Sequence, residues 1–142
     1  MQISGRFTIA VHILTCTDYF HDDYTITSNF LASSIGVNPV IVRQVILFLK
    51  RAGLIDVVRG KEGIILARPL EEITLYDVYI AVESVKGGKL FRFHENPNPD
   101  CPVGKNIHSA LGWALDEVQS SLEEKMRGIT LREISQRLPP QN

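Results

Sequence analysis

The apolar positions of this chain change period twice. Up to residue 52 they recur at spacings of three and four, through residues 54–66 they alternate, and from residue 75 the helical spacing returns. The first stretch predicts a helix over residues 4–18, with Phe7, Val11 and Leu14 on one face and Ile9, Ile13 and Cys16 on another. A short helix over 28–34 ends at Gly36, and a third over 39–52 turns Val42, Val45, Ile46 and Leu49 inward before Gly53 stops it. The alternating stretch predicts two strands, 54–58 and 63–66, joined by Arg59-Gly60-Lys61-Glu62, with Pro69 closing the hairpin. A fourth helix is expected over 75–85. Residues 86–102, with Gly87-Gly88, Pro97, Pro99 and Pro102, are expected to be loop. Val103, Ile107, Leu111, Leu115, Val118, Leu122 and Met126 then mark one long amphipathic helix ended by Gly128, and a last helix is expected over 131–138.

Local chemistry supports these helix starts. Thr27, Asn38, Thr74 and Thr130 each suit an N-cap. Each is flanked by an apolar pair at staple spacing: Ile26 with Leu31, Val37 with Val42, Ile73 with Val78, and Ile129 with Ile134. Asp77 and Glu133 complete capping boxes, and Pro39 suits a first helical position because its missing N–H would be unpaired there. The long helix exceeds what a small domain needs to cover its own core, so its stripe is expected to meet a second copy of the chain. The expected organisation is a reading domain over 1–85, a loop over 86–102, and a dimerisation helix with a short terminal helix over 103–142.

Composition narrows the class. The chain has 142 residues, 44% hydrophobic and 22% charged, which excludes wholesale disorder and suits one domain with an appendage. Cys16 and Cys101 are its only cysteines, too few for a disulfide framework or a four-cysteine zinc site. The apolar run 7–14 is far shorter than the roughly 20 residues that cross a bilayer, and no basic leader with a cleavage site is evident, so a cytoplasmic protein without a membrane partner is expected. The net charge is −1, yet residues 43–70 hold six basic side chains against two acidic ones. That concentrates positive potential on one region, as a phosphate-binding face requires; a solvated helix face with a charged turn is the plainer reading.

The order helix, short helix, tight turn, helix, two-stranded hairpin is that of a winged helix-turn-helix, so the expected fold class is mainly α with a small β-hairpin. The third helix would then present Asn38, Pro39, Val40, Arg43 and Gln44 to a major groove of double-stranded DNA. There Arg pairs with guanine and Gln with adenine. The wing tip Arg59-Gly60-Lys61 places two cations on a narrow loop suited to a minor groove or backbone. Ser28 and the N–H groups of its helix start suit a phosphate. Winged helices also serve as protein-interaction modules without specific DNA binding, and that alternative stays open.

Several of these residues form a recognisable run. Val37-Asn38-Pro39 through Leu54-Ile55, then Val58-Arg59-Gly60 and Arg68-Pro69-Leu70-Glu71-Glu72-Ile73-Thr74-Leu75-Tyr76-Asp77-Val78, closely resembles the Rrf-two (BadM-type) family of bacterial regulators. The resemblance spans residues 4–83 and continues more loosely to 137. It implies a homodimeric winged-helix transcription factor, read here as a repressor of a near-palindromic operator. It also implies that Arg59 enters the minor groove while positions 43 and 44 face bases.

The chain departs from that family in three places. Members with a Glu-Gln pair in the recognition helix have Glu where this chain has Arg43, so their operator does not carry over. The wing has Gly60-Lys61-Glu62-Gly63 instead of consecutive glycines, which brings Glu62 near phosphates. The family's iron–sulfur members hold a cluster with three closely spaced cysteines before the long helix. Here only Cys101 occurs there, with His94 and His108 nearby, so no iron–sulfur cluster and no metal site are expected.

Cys101 stands just before a helix whose N–H groups favour a thiolate, with Lys105 four residues on and Asp100 opposing. A redox or electrophile sensor and a gap-filling thiol both fit it; modulation by a small ligand is the other route to control. Cys16 is expected in the core, and His12 and His21 are expected to flank or cap the first helix. Phe91, Phe93, Trp113, Tyr76 and Tyr79 suit either a ligand cavity between the fourth and fifth helices or plain core. An enzyme is not expected: Gly87-Gly88-Lys89 lacks the rest of a phosphate loop, and no Gly-x-Ser-x-Gly occurs.

Overall fold

A computed structural model describes residues 4–60, 63–83 and 89–140. Its elements are α1 (Gly5–Phe20), α2 (Ser28–Ile35), α3 (Pro39–Arg51), β1 (Ile55–Val58), β2 (Gly63–Leu66), a 3₁₀ turn (Leu70–Glu72), α4 (Leu75–Val82), α5 (Pro102–Arg127) and α6 (Leu131–Ser135). All four expected caps are residues preceding a helix. The Thr27 hydroxyl accepts from the Phe30 N–H, the Asn38 side-chain Oδ1 from the Val40 N–H, and Thr74 and Thr130 form complete capping boxes with Asp77 and Glu133.

The core forms where α1 crosses the other helices. Ala10, Ile13, Leu14 and Thr17 of α1 are buried, and α1 packs against α2, α3, α4 and α6. Phe7 and Val11 of one expected face and Ile9 of the other reach this core only in part, while Leu14 of the first and Ile13 and Cys16 of the second are buried, so both faces contribute. From α3 come Val42, Val45 and Leu49, all fully buried, with Ile46 half-buried beside them. Leu31, Leu54, Leu70, Ile73, Val78 and Leu131 complete it. Burying a side chain of this size contributes about 1.5–3 kcal/mol, which is why the helical period alone placed most of these positions.

The hairpin pairs antiparallel with Ile55 opposite Leu66 and Val58 opposite Gly63. It does not stand alone. Ile64 N–H donates to the Ile26 carbonyl at 2.9 Å, so the segment before α2 joins the hairpin as a bridging edge that alternation in sequence did not reveal.

Helix ends differ from expectation where tertiary contacts intervene. The first helix runs two residues further, to Phe20. The fourth ends at Val82, and Glu83 turns away to accept hydrogen bonds from the Ser4 N–H and hydroxyl at 3.2 and 2.9 Å; positions 84 and 85 lie outside the described residues. α6 stops at Ser135 because the next residues tighten into turns, with Arg137 N–H bonded to Ile134 and Leu138 N–H to Ser135, ahead of Pro139.

α5 is 26 residues long and only Met126 in it is buried, so most of its length stands away from the core. The chain then returns: Leu75 N–H donates to Ile129 C=O and Leu131 N–H to Ile73 C=O, and Arg132 binds both Asp18, at 3.0 Å, and Glu71. These bonds seat α6 against the first helix and the 3₁₀ turn. Among the described residues no single helix is long and apolar enough to cross a membrane.

Candidate nucleic-acid interface

The reading helix is set by its turn. Gly36, with φ +82, closes α2 by donating its N–H to Ala32, a left-handed conformation that glycine adopts without strain. Asn38 then caps α3 and Pro39 opens it, and α2 and α3 meet at 112°. That angle is typical of a helix-turn-helix.

With Val42, Val45 and Leu49 turned into the core, the 3.6-residue period leaves Val40, Arg43 and Gln44 on the outer face, and all three are exposed. Val40 is 53% exposed, a large cost for a free apolar side chain and a suitable one for contact with a thymine methyl. Ile41 and Leu47 are also exposed on this helix, which apolar patterning alone does not anticipate. Asn38 is exposed with its side-chain oxygen bonded to the Val40 N–H, and Pro39 is half-buried at the first position of α3, so both also fix where α3 begins. Ser28 is half-buried at the first position of α2, next to the capping Thr27. Arg59 is exposed at the wing tip, followed by Gly60 with φ +108 in open space. Lys61, and Glu62 with it, lies outside the described residues.

The region that precedes the long helix packs along α5. Lys89 pairs with Asp116 at 2.8 Å, the Leu90 N–H donates to Gln119 at 2.9 Å, and His108 bonds the His94 carbonyl at 3.0 Å. Phe91, Phe93 and Leu115 line a cavity of about 320 Å³ here. Tyr79 is buried, and Arg127 stacks on Tyr76 at 3.9 Å. Trp113 is 62% exposed, so it joins neither the cavity nor the core. Of the stripe expected to meet a second copy, Val103, Leu111 and Val118 are exposed, while Ile107, Leu115 and Leu122 are half-buried. Leu115 faces the chain's own loop, so the outward row is Val103, Ile107, Leu111 and Val118, spaced by four and seven residues.

Cys101 is the residue before α5 and is half-buried. The N–H groups of Gly104 and Val103 at the helix start hold its thiol below the usual range. Cys16 is the opposite case, buried against α2, where desolvation pushes its thiol up despite a hydrogen bond with Ser34. His21 terminates α1 by bonding the Asp18 carbonyl at 2.6 Å. His12, by contrast, sits in mid-helix with its Nε2 2.9 Å from Ser34 Oγ, a contact that spacing along the chain did not indicate. Among the described residues no three His, Cys, Asp or Glu side chains converge on one point.

This combination of a reading helix across a core helix, a wing beside it and a long helix projecting outward defines a winged helix-turn-helix regulator of transcription. The chain belongs to the Rrf2 family, described as "Iron-dependent Transcriptional regulator", whose model matches residues 3–137. It is 37% identical over 137 residues to YwnA of Bacillus subtilis (strain 168), whose name describes an HTH-type transcriptional regulator; the match covers 96% of this chain and 99% of that protein. The fold is shared with CymR (YrzC), the global cysteine regulator of B. subtilis, at a TM-score of 0.73 and 16% identity over 98% of this chain and 99% of that one. It is shared also with IscR of T. potens, at a TM-score of 0.67 and 22% identity over 99% and 94%. The protein is accordingly a DNA-binding transcriptional regulator and not an enzyme.

Proposed function

We propose that the protein acts as a homodimer that represses transcription from a near-palindromic operator, with α3 in the major groove and the Arg59 wing in the minor groove or on the backbone. The observation that carries this reading is the outward presentation of Val40, Arg43 and Gln44 by a helix whose opposite side is locked into the core. Arg43 would pair with guanine and Gln44 with adenine, each such pair worth about 1–3 kcal/mol of discrimination. Ser28 and Lys61 would contact phosphates, and Asn38, Pro39 and Gly60 would set the loops that carry the contacts. The outward row of α5, with Leu122 at its margin, supports pairing with a second copy, which would hold two reading helices about one duplex turn apart. The cytoplasm is the compartment this reading requires.

Control is proposed to enter through Cys101 or through a small ligand. An iron–sulfur cluster does not fit the donor set, because one thiol is buried against Ser34 and the other stands alone, whereas clusters of this kind take four protein ligands. Purified protein with a visible charge-transfer spectrum and stoichiometric iron and sulfide would overturn that statement.

The test is titration of genomic DNA fragments with the full chain at low and physiological salt. A dimer neutralising several phosphates loses about tenfold or more in affinity between the two while keeping sequence preference. Absence of any competed, sequence-selective complex would leave a protein-interaction module as the function.

A further inference from the structure

A second concave site lies away from the DNA-reading face. The described residues line an open-sided pocket of about 410 Å³ on the flank of α1. Val11, Tyr19 and Phe20 of α1 form one side and Leu138 and Pro139, beyond α6, another. The pocket's polar lining includes the hydrogen-bonded pair His12 and Ser34. Thr15 lies beside them and gives its hydroxyl proton to the Val11 and His12 carbonyls, which leaves its oxygen lone pairs as acceptors. Sites of about 300–1,000 Å³, mostly apolar with a few converging polar groups, are the usual form of small-molecule pockets.

The lining restricts the occupant. Among the described residues no Lys, Arg, Asp or Glu borders the cavity. Burial lowers the pKa of His12 and raises that of Cys16, so both are neutral at pH 7. A charged ligand would lose its hydration and find no counter-charge. A dry cavity of about 150 Å³ holds one benzene, so this volume suits roughly two aromatic rings beside Tyr19 and Phe20. A second copy of the chain has a better place on the exposed row of α5, where Val103, Leu111 and Val118 are left uncovered.

The position links this cavity to the reader. Ser34 lies in the last turn of α2, and the Gly36 and Val37 N–H groups that follow both bond Ala32 in that same turn. Asn38, the cap of α3, comes next. A molecule bonded to Ser34 therefore bears on the joint that sets the angle of the recognition helix.

We infer that the α1 cavity binds an uncharged, largely apolar molecule of about two rings, with one hydrogen-bonding group against Ser34 and His12, and that its occupancy alters DNA affinity. The second half of this statement rests on the DNA-binding reading above.

The test uses 6-propionyl-2-(dimethylamino)naphthalene, an uncharged two-ring fluorophore in this size range, titrated into the full chain without DNA. Saturable binding at one site per chain is expected. Thr8→Trp, at an exposed rim position, should weaken it about tenfold or more by filling the mouth, and Trp113→Ala should leave it unchanged. In competition 2-naphthol should displace the dye about tenfold better than the 2-naphthoate anion. Thermal melting of Thr8→Trp checks that the fold is kept, and Ser34→Ala, also exposed, gives a second variant expected to weaken binding. No saturable binding, equal binding by Thr8→Trp and the parent, or preference for the anion would overturn the site. Dye that binds but leaves duplex affinity unchanged would overturn the regulatory half. Failure of the chain to bind any duplex would sink the regulator reading and that half with it, while the dye titration would still decide the site.

Discussion

Gly63 lies so close to Ile26 that a Cβ on it would stand 2.4 Å from the Ile26 carbonyl oxygen, the same oxygen that accepts the Ile64 N–H. Its φ of +66 adds a second reason for glycine. The wing is thus anchored to the segment that leads into α2, and both reading elements share one support. Gly63→Ala should lower stability by about 2 kcal/mol or more, from left-handed strain plus the clash. Gly60→Ala meets nothing within 4 Å and should incur only the strain. Urea midpoints of the two variants check the order.

Arg43→Ala should relax base choice at one operator position, at a cost of about 1–3 kcal/mol on the preferred sequence. Arg59→Ala should weaken all duplexes more evenly if it meets backbone, and reduce the salt slope by about one. Both side chains are exposed and neither supports the core, so the variants should melt as the parent does. Competition binding on single-base operator variants separates the two outcomes.

Val118 is 54% exposed on α5, in the outward row with Leu111. Val118→Asp should leave each chain folded and weaken self-association by about tenfold or more, since an unpaired carboxylate would be desolvated at the contact. Sedimentation across a concentration series reads this directly, and an unchanged dimer would remove that face from the proposed contact.

Arg132 joins Asp18 of the first helix to Glu71 of the 3₁₀ turn, which holds the Glu71 carboxyl below the usual range and raises the Arg132 guanidinium further. The groups are partly solvated, so Arg132→Ala should lower stability by about 1 kcal/mol at low salt, and by less at high salt as screening takes over. Hydrogen exchange should report the loss first in α6, which these bonds seat.

Cys101 and Cys16 should differ sharply in alkylation. The lowered pKa of Cys101 means that its thiolate forms at lower pH, so its rate with iodoacetamide should reach a plateau below the ordinary thiol range. Cys16, raised by burial, should react only on unfolding or at high pH. Mass spectrometry of each site against pH tests both statements, and a fast Cys16 in the native protein would contradict its burial.

Local spacing along the chain accounts for the element order, the four helix caps, the inward side of α3 and the outward Arg43 and Gln44. Each depends on residues three or four apart, whose geometry is imposed by the helical turn wherever the chain comes to lie. Tertiary structure alone decided that His12 meets Ser34, that Ile26 bridges to the wing, that Arg132 reaches Asp18, and that Leu115 faces its own loop while Val118 does not. Those pairings follow from how helices cross and where a returning chain is seated, and no local period carries that information.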